Sequence, residues 1–320
     1  MRIVFIATGD IALPAFRHLL RKGPRPLALV TQPDKPVGRH QVLTPPAIKT
    51  EALEAGIPVF QPEKIGEIAA ELAALGPEIL VVMAYGQILR KNILTLASKA
   101  IINLHASLLP KYRGAACIQA AIDAGDAETG ITAMHVVREL DAGDVIHARA
   151  IPISPGETGG SLHDRLADLA ADVLEQTLAQ LASETALRIA QDPSQVTYIP
   201  KLERDDGRID WNQPATAIER RIRAYDPWPG TFTMTLALPR DAGTAGGSPA
   251  PPPKEKRLKL FPPTLVSDQQ IPAGEIRLHE GRWLIGCGQG SIQLDSVQPE
   301  GSKRMAAADY FRGASISKVR

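Results

Sequence analysis

Within its first 105 residues the chain repeats one pattern: a short apolar run rich in β-branched residues, a turn, then a stretch with helical spacing. Ile3, Val4, Phe5 and Ile6 form the first run and Thr8-Gly9-Asp10 turns it. Leu13, Phe16, Leu19 and Leu20 then recur at helical intervals up to Gly23. Leu27 to Thr31, a short piece at Pro58 to Phe60, Ile79 to Met83 and Ala100 to Ile102 repeat the strand signal. Helical segments at 46–55 and 65–75 stand between them. Strands that are apolar without alternation are buried on both faces, and strands joined by helices run parallel. The pattern therefore predicts an α/β, doubly wound sheet.

The familiar nucleotide-binding versions of that fold do not match. The turn after the first strand has a single glycine, so the GxGxxG fingerprint is absent, and there is no P-loop. No apolar run approaches the ~18 residues of a membrane span. The opening MRIVFIATGD reads as a strand and not as a signal peptide. Cys117 and Cys287 match no metal or disulfide spacing, and the histidines at 105, 135, 147 and 163 show no ligand spacing. The expectation is a cytoplasmic protein without metal, monomeric by default.

Beyond residue 124 the pattern changes. Ile131 to Val137 alternates, Arg138 to Asp144 turns, and Val145 to Ile153 forms another strand. A short link makes that pair antiparallel, so the sheet is mixed at this side. A long helix over 162–181 closes the region. We read 1–190 as one domain, 191–206, with Pro193 and Pro200, as a linker, and 207–320 as a second domain. One helix near Ala217 to Ala224 and short strands at 231–238, 257–261, 274–279, 282–287 and 291–297 predict a small β-barrel there. The Pro, Gly and Ala-rich run 239–256 reads as a loop. The net charge of +1 is unevenly spread: residues 207–320 hold 16 Lys and Arg against 11 Asp and Glu. Such a balance fits a polyanion partner and equally fits a scatter of solvated charges.

Three polar residues stand out where ligands bind in open α/β sheets, at strand carboxyl ends. Asn103 and His105 are two apart on an extended segment and so share a face. Asp141 lies in the turn of the adjoining antiparallel pair. A carboxylate folded against an imidazole fixes its tautomer and orients it, and an asparagine amide can donate to an oxygen that becomes negative. These are the parts of an acyl-transfer site without an enzyme nucleophile; Ser107 lacks the GxSxG turn. A histidine near a strand end also serves purely structural roles, and spacing does not separate the two. The aperiodic segment 32–41, with Lys35, Arg39 and His40, follows the second strand and suits either an ordinary exposed loop or a phosphate-contacting one.

The run Asn103-Leu104-His105-Ala106-Ser107-Leu108-Leu109-Pro110 is followed by Arg113 to Ala116, Ile118-Gln119 and Leu140 to Asp144. Together they resemble the folate-dependent formyltransferases. Thr31 to Arg39, Val82 to Gly86 and Ile222 to Gly230 extend the likeness to methionyl-tRNA formyltransferases over nearly the whole chain. The resemblance implies a Rossmann-like sheet (the formyltransferase fold) with an OB-like C-terminal barrel. It implies transfer of the formyl group of 10-formyltetrahydrofolate, as co-substrate, to the α-amino group of initiator methionyl-tRNA, for translation initiation. Asn103, His105 and Asp141 would be catalytic. Ser107, Leu108, Leu109 and Pro110, with Tyr85, Gly86, Gln87, Ile88 and Leu89, would bind folate. Lys35, Arg39 and His40 would meet tRNA, with the barrel holding its backbone. A sugar-nucleotide formyltransferase and a non-catalytic RNA-binding relative share parts of the likeness. Three departures stand out: Cys117 replaces the family's usual proline, the first turn reads Ala7-Thr8-Gly9-Asp10-Ile11, and the Pro, Gly and Ala-rich run 239–256 is longer than the family needs.

Overall fold

The structure, a computed structural model, describes residues 1–38, 40–236, 255–313 and 316–320. It forms two compact units: Met1–Cys117, Glu128–Pro152 and Leu162–Pro200 make one, and Ile118–Ala127, Ile153–Ser161 and Lys201–Arg320 make the other.

The first unit begins with β1 (Ile3–Ala7), α1 (Leu13–Arg21) and β2 (Ala28–Val30). A hairpin of β3 (Lys35–Val37) and β4 (Val42–Thr44) follows, then α2 (Ala47–Glu54), β5 (Val59–Phe60), α3 (Ala69–Ala74) and β6 (Ile79–Met83). The chain continues through the single turn α4 (Lys91–Leu94), β7 (Ala100–His105), β8 (Arg113–Gly114), α5 (Cys117–Ala124), β9 (Glu128–His135), β10 (Val145–Pro152) and α6 (Gly159–Ala182). Seven strands form one sheet in the order β10-β9-β7-β6-β1-β2-β5. From β5 to β7 the neighbours are parallel, while β9 is antiparallel to both β7 and β10. This is the mixed, doubly wound sheet that the apolar runs predict. All five residues of β1 are fully buried, as a central strand covered on both faces requires. The chain winds outward from β1 through β2 and β5, then returns to β6 on the other side. That reversal sets the topological switch between β1 and β6, and the loops after both strands bracket it.

Segment 32–41, expected as a loop, contributes most of a hairpin. Pro36 faces Leu43, and Val37 faces Val42, with every residue of both strands exposed. Gly38 and Gln41 take positive φ at its turn. With neither face buried, such a hairpin leaves no alternation to read. The 191–206 region also carries structure. β11 (Tyr198–Ile199) pairs in parallel with β8, and Ile189 bridges Val145 on β10.

The second unit takes in α5 after Cys117 and contains α7 (Ala215–Ala224), β12 (Thr231–Leu236), β13 (Glu255–Ser267), β14 (Ile276–His279), β15 (Arg282–Gly286), β16 (Ser291–Pro299), β17 (Met305–Ala306) and α8 (Ala307–Gly313). Its antiparallel sheet runs β12-β13-β16-β15-β14, with β17 also on β16. Val319 bridges Thr235 beside β12, and Lys318 bridges Glu275 just before β14, so the two ends of the sheet meet on one short segment. The sheet curls around Ile218, Ile222, Leu258, Leu260, Ile285 and Ile292. The indole N–H of Trp211 donates to Thr233 Oγ1 at 2.9 Å, which satisfies a polar atom in that core. The apolar pattern predicts a strand ending at Phe261, but β13 runs on to Ser267. Pro262 and Pro263 lack the N–H that a ladder needs, and the register shifts across them before pairing resumes at Thr264. The Pro/Gly-rich run expected as a loop lies, from 239 to 254, outside the described residues. Among the described residues no helix is long and apolar enough to cross a membrane.

Candidate active site

β7 carries Asn103 and His105 to its carboxyl end on the same face. Pairing with β6 on one side and β9 on the other fixes its register: Asn103 lies beside Val82 and Met134, and His105 beside Thr132. His105 is buried and Asn103 half-buried. The Asn103 amide makes no side-chain hydrogen bond among the described residues, so its donors are uncommitted at the strand end.

The ring of His105 stands between two acceptors. Nε2 lies 2.8 Å from the carbonyl oxygen of Tyr112. A carbonyl only accepts, so Nε2 carries the proton. Nδ1 faces Asp141 Oδ2 at 3.7 Å, with the two side chains 8% and 11% exposed. A doubly protonated ring would thus find an acceptor beside each N–H. The Asp141 carboxylate also accepts a 2.8 Å hydrogen bond from the backbone N–H of Gly114. Asp141 sits at φ 50° and Tyr112 at φ 60°, a region that residues other than glycine seldom occupy. The structure therefore brings Asp141 to His105. It also commits Nε2, whose N–H is held by the Tyr112 carbonyl.

Cys117 opens α5 directly against this ring. Its Sγ lies 3.4 Å from His105 Nε2 and donates to the Tyr112 carbonyl at 2.7 Å. Burial, with the negative charge of Asp141 adding to it, pushes the thiol up to about 12. Both causes disfavour the thiolate, so Cys117 is a neutral donor and not a nucleophile.

The turn after β7 is tied down from within. Ser107 is fully buried, and its hydroxyl donates to the Lys111 carbonyl at 2.7 Å. Thr132 Oγ1 on β9 donates to the Ser107 carbonyl at 2.6 Å and accepts from the Leu109 N–H at 3.2 Å. The Ser107 hydroxyl is therefore engaged inside the turn. Leu108, Leu109 and Pro110 are half-buried and leave an apolar surface. At the end of β6, Ala84 (φ 46°) and Gly86 (φ 80°) bend the chain. A Cβ on Gly86 would lie 2.7 Å from Gln32 Nε2, which donates to the Tyr85 carbonyl at 2.6 Å. Tyr85 and Leu89 are core residues. Burial pushes the Tyr85 phenol up to about 12, and its hydroxyl is buried without a hydrogen-bond partner among the described residues. The Gln87 amide is engaged by Ile65 N–H and the Glu63 carbonyl. Ile88 is 77% exposed.

On the β3–β4 hairpin, the Lys35 ammonium reaches Gln32 Oε1 and His40 is exposed. Arg39 lies outside the described residues. No group of histidine, cysteine and carboxylate side chains among the described residues could hold a metal ion.

Several residues of the site carried no signal in the sequence. Gln191 donates from Nε2 to the carbonyls of Asp141 and Gly143, both at 2.8 Å, and accepts from Arg113. Thr197 accepts from the Tyr112 N–H. Both lie in an aperiodic stretch read as a linker. Tyr112 acts through its backbone carbonyl, for which no residue pattern exists. Thr132 was visible only as one strand residue among others.

The family model described as formyl transferase matches residues 1–178, and that of the formyl transferase C-terminal domain matches residues 201–315. A methionyl-tRNA formyltransferase of Akkermansia muciniphila is 49% identical, the match covering 98% of this chain and 96% of the relative. One from Geobacter metallireducens is 39% identical over 99% of this chain and 96% of its own. Among solved structures, WlaRD, a sugar 3N-formyl transferase, superposes with a TM-score of 0.63 at 16% identity over 95% of this chain and 99% of that one. HypX from Aquifex aeolicus, in complex with tetrahydrofolic acid, gives 0.62 at 16% identity over 97% of this chain. The present chain spans about half the length of HypX, 46%. With both family models matched and full-length relatives well above 30% identity, the chain belongs to the formyl transferase family, as do the methionyl-tRNA formyltransferases it resembles.

Proposed function

We propose that this chain transfers the formyl group of 10-formyltetrahydrofolate to the α-amino group of initiator methionyl-tRNA, supplying formylated initiator for translation in the cytoplasm. The observation that carries the reading is the 49% identity, over 98% of the chain, to a methionyl-tRNA formyltransferase. Solved neighbours named as sugar N-formyltransferases are 15–17% identical and speak for the fold alone. In this reading residues 1–190 carry the reacting groups, 191–206, packed on them as far as Pro200, lead on to the second domain, and 207–320 hold the tRNA.

The residues fit these substrates. Leu108, Leu109, Pro110 and the exposed Ile88 offer apolar surface to a flat heterocycle, and the backbone of 85–89 offers polar edges. An α-amino group titrates near 8, and esterification of the neighbouring carboxyl lowers that, so the attacking amine needs little activation. As the amine adds to the formyl carbon, the formyl oxygen gains negative charge. Asn103, with its amide donors uncommitted, is the group to receive it; losing one such donor typically costs about 3–4 kcal/mol of barrier. His105 is held between Asp141 and the Tyr112 carbonyl. With both ring nitrogens held, it contributes the charge of its protonated form, and the amine's proton leaves for the departing nitrogen by way of Asp141 and water. Lys35, Arg39 and His40 would contact the acceptor end. The excess of positive charge in 207–320 would engage phosphates and should weaken with salt.

The test offers 10-formyltetrahydrofolate with charged initiator tRNA, charged elongator tRNA and an amino-sugar nucleotide in parallel. Transfer to methionyl initiator tRNA is the expected result. Transfer to the sugar alone, or none to any acceptor, overturns the reading.

A further inference from the structure

His105 is oriented by neighbours that are themselves in unfavourable backbone conformations, and something must hold them. Tyr112, at φ 60°, presents the carbonyl that takes Nε2–H. Its own N–H donates to Thr197 Oγ1 at 2.8 Å, and the next N–H, of Arg113, donates to the Thr197 carbonyl at 2.8 Å. One threonine thus brackets Tyr112, with its side chain on one side and its backbone on the other. Asp141, at φ 50°, faces Nδ1. Its carbonyl is held by Gln191, whose single amide makes four bonds to oxygen and nitrogen partners and a longer 4.0 Å contact to Met134 Sδ. Two donate to the Asp141 and Gly143 carbonyls, and two accept from Arg113 Nε at 3.1 Å and Nη2 at 2.7 Å. That uses all the donors and acceptors a glutamine has. The segment 191–199 therefore touches both neighbours of the imidazole, one through each residue.

We propose that Gln191 and Thr197 are positioning residues for formyl transfer: the 191–199 strap sets the orientation and tautomer of His105 by fixing the Tyr112 carbonyl and Asp141. The proposal rests on the reading of His105 and Asp141 as a working pair. Neither residue touches the reacting atoms; each acts through a backbone group. Glutamate at 191 could not donate to the two carbonyls, and valine at 197 could not accept from Tyr112. Serine at 197 could.

The test uses the full chain, with Thr197→Val, Thr197→Ser and Gln191→Glu, each also in a His105→Ala background. Thr197→Val and Gln191→Glu should lower kcat by about 10- to 100-fold, the scale of a misplaced catalytic group, with KM for both substrates within about twofold. Thr197→Ser should restore most of the rate. In the His105→Ala background the same substitutions should add no further loss. An equal loss in both backgrounds, or no loss in either, overturns the proposal. Nitrogen-15 spectra of histidine-labelled protein read the ring without any assay. Wild type should show His105 protonated at Nε2, assigned by the signal lost in His105→Ala, and Thr197→Val should change that signal while the melting temperature stays within a few degrees. Unchanged ring signals in both Thr197→Val and Gln191→Glu overturn it. If the chain formylates a different acceptor, the proposed substrate fails while the ring spectra still decide the strap.

Discussion

Replacing Asp141 with asparagine isolates the charge at the site from its shape. Asn has the same outline, tolerates φ 50° better than any other residue except glycine, and keeps an oxygen to accept from the Gly114 N–H. What it loses is the attraction between a carboxylate and a protonated His105 at 3.7 Å. Two unit charges at that distance, with the effective dielectric of about 20 that suits partly buried pairs, attract by about 4 kcal/mol. At 1.36 kcal/mol per factor of ten, that sets a loss of up to about a thousandfold in kcat. Alanine would add the loss of the Gly114 bond, about 1.5–3 kcal/mol for a hydrogen bond to a charged group, and would strain the backbone as well. The assay is single-turnover formyl transfer to charged initiator tRNA with both substrates saturating, beside thermal melts of each variant. Asp141→Asn should melt within a few degrees of wild type, bind both substrates normally and transfer slowly; Asp141→Ala should melt earlier. An Asp141→Asn rate within about fivefold of wild type would show that the carboxylate charge does not act through His105.

Other consequences can be checked directly. A Cβ on Gly143 would stand 1.7 Å from the His135 carbonyl oxygen, so Gly143→Ala must displace the loop bearing Asp141; urea denaturation should show at least about 3 kcal/mol lost, and an unchanged midpoint would refute the close packing. Cys117, pushed up to about 12, should react with iodoacetamide only slowly in the native protein at pH 8, where the buried thiol stays protonated. The rate should rise steadily with pH and be faster in Asp141→Asn, because removing a negative neighbour favours the thiolate; fast native alkylation at pH 8 would contradict its burial. Lys35→Ala and His40→Ala, on an exposed hairpin, should raise KM for tRNA and leave folate affinity and stability alone. They should also flatten the salt dependence of tRNA binding by about one unit of slope for each phosphate no longer neutralised.

The parallel core was legible because burial on both faces forces unbroken apolar runs, and β1, β6 and β7 carry them. The hairpin of β3 and β4 was not, since strands exposed on both faces have no periodicity. β13 was cut short for the opposite reason: Pro262 and Pro263 are usually strand breakers, and here a register shift absorbs them. At the site, chemistry-bearing side chains were visible, and spacing alone put Asn103 beside His105. What surrounds the imidazole was hidden. The Tyr112 carbonyl is a backbone group, the conformations of Tyr112 and Asp141 leave no composition trace, and Gln191 acts from about fifty residues further along the chain with no motif around it.

The meeting of the second unit's sheet ends on residues 318 and 319 bears on how much strand edge that unit leaves open. Until Lys318 and Val319 dock, β12 and the entry to β14 each present unpaired backbone groups, the template on which strands of separate molecules join. A few residues at one place thus guard two edges at once. Proteolytic trimming there would leave most of the Ile218 and Leu260 core in place while opening both edges, turning a self-contained sheet into one prone to end-to-end association.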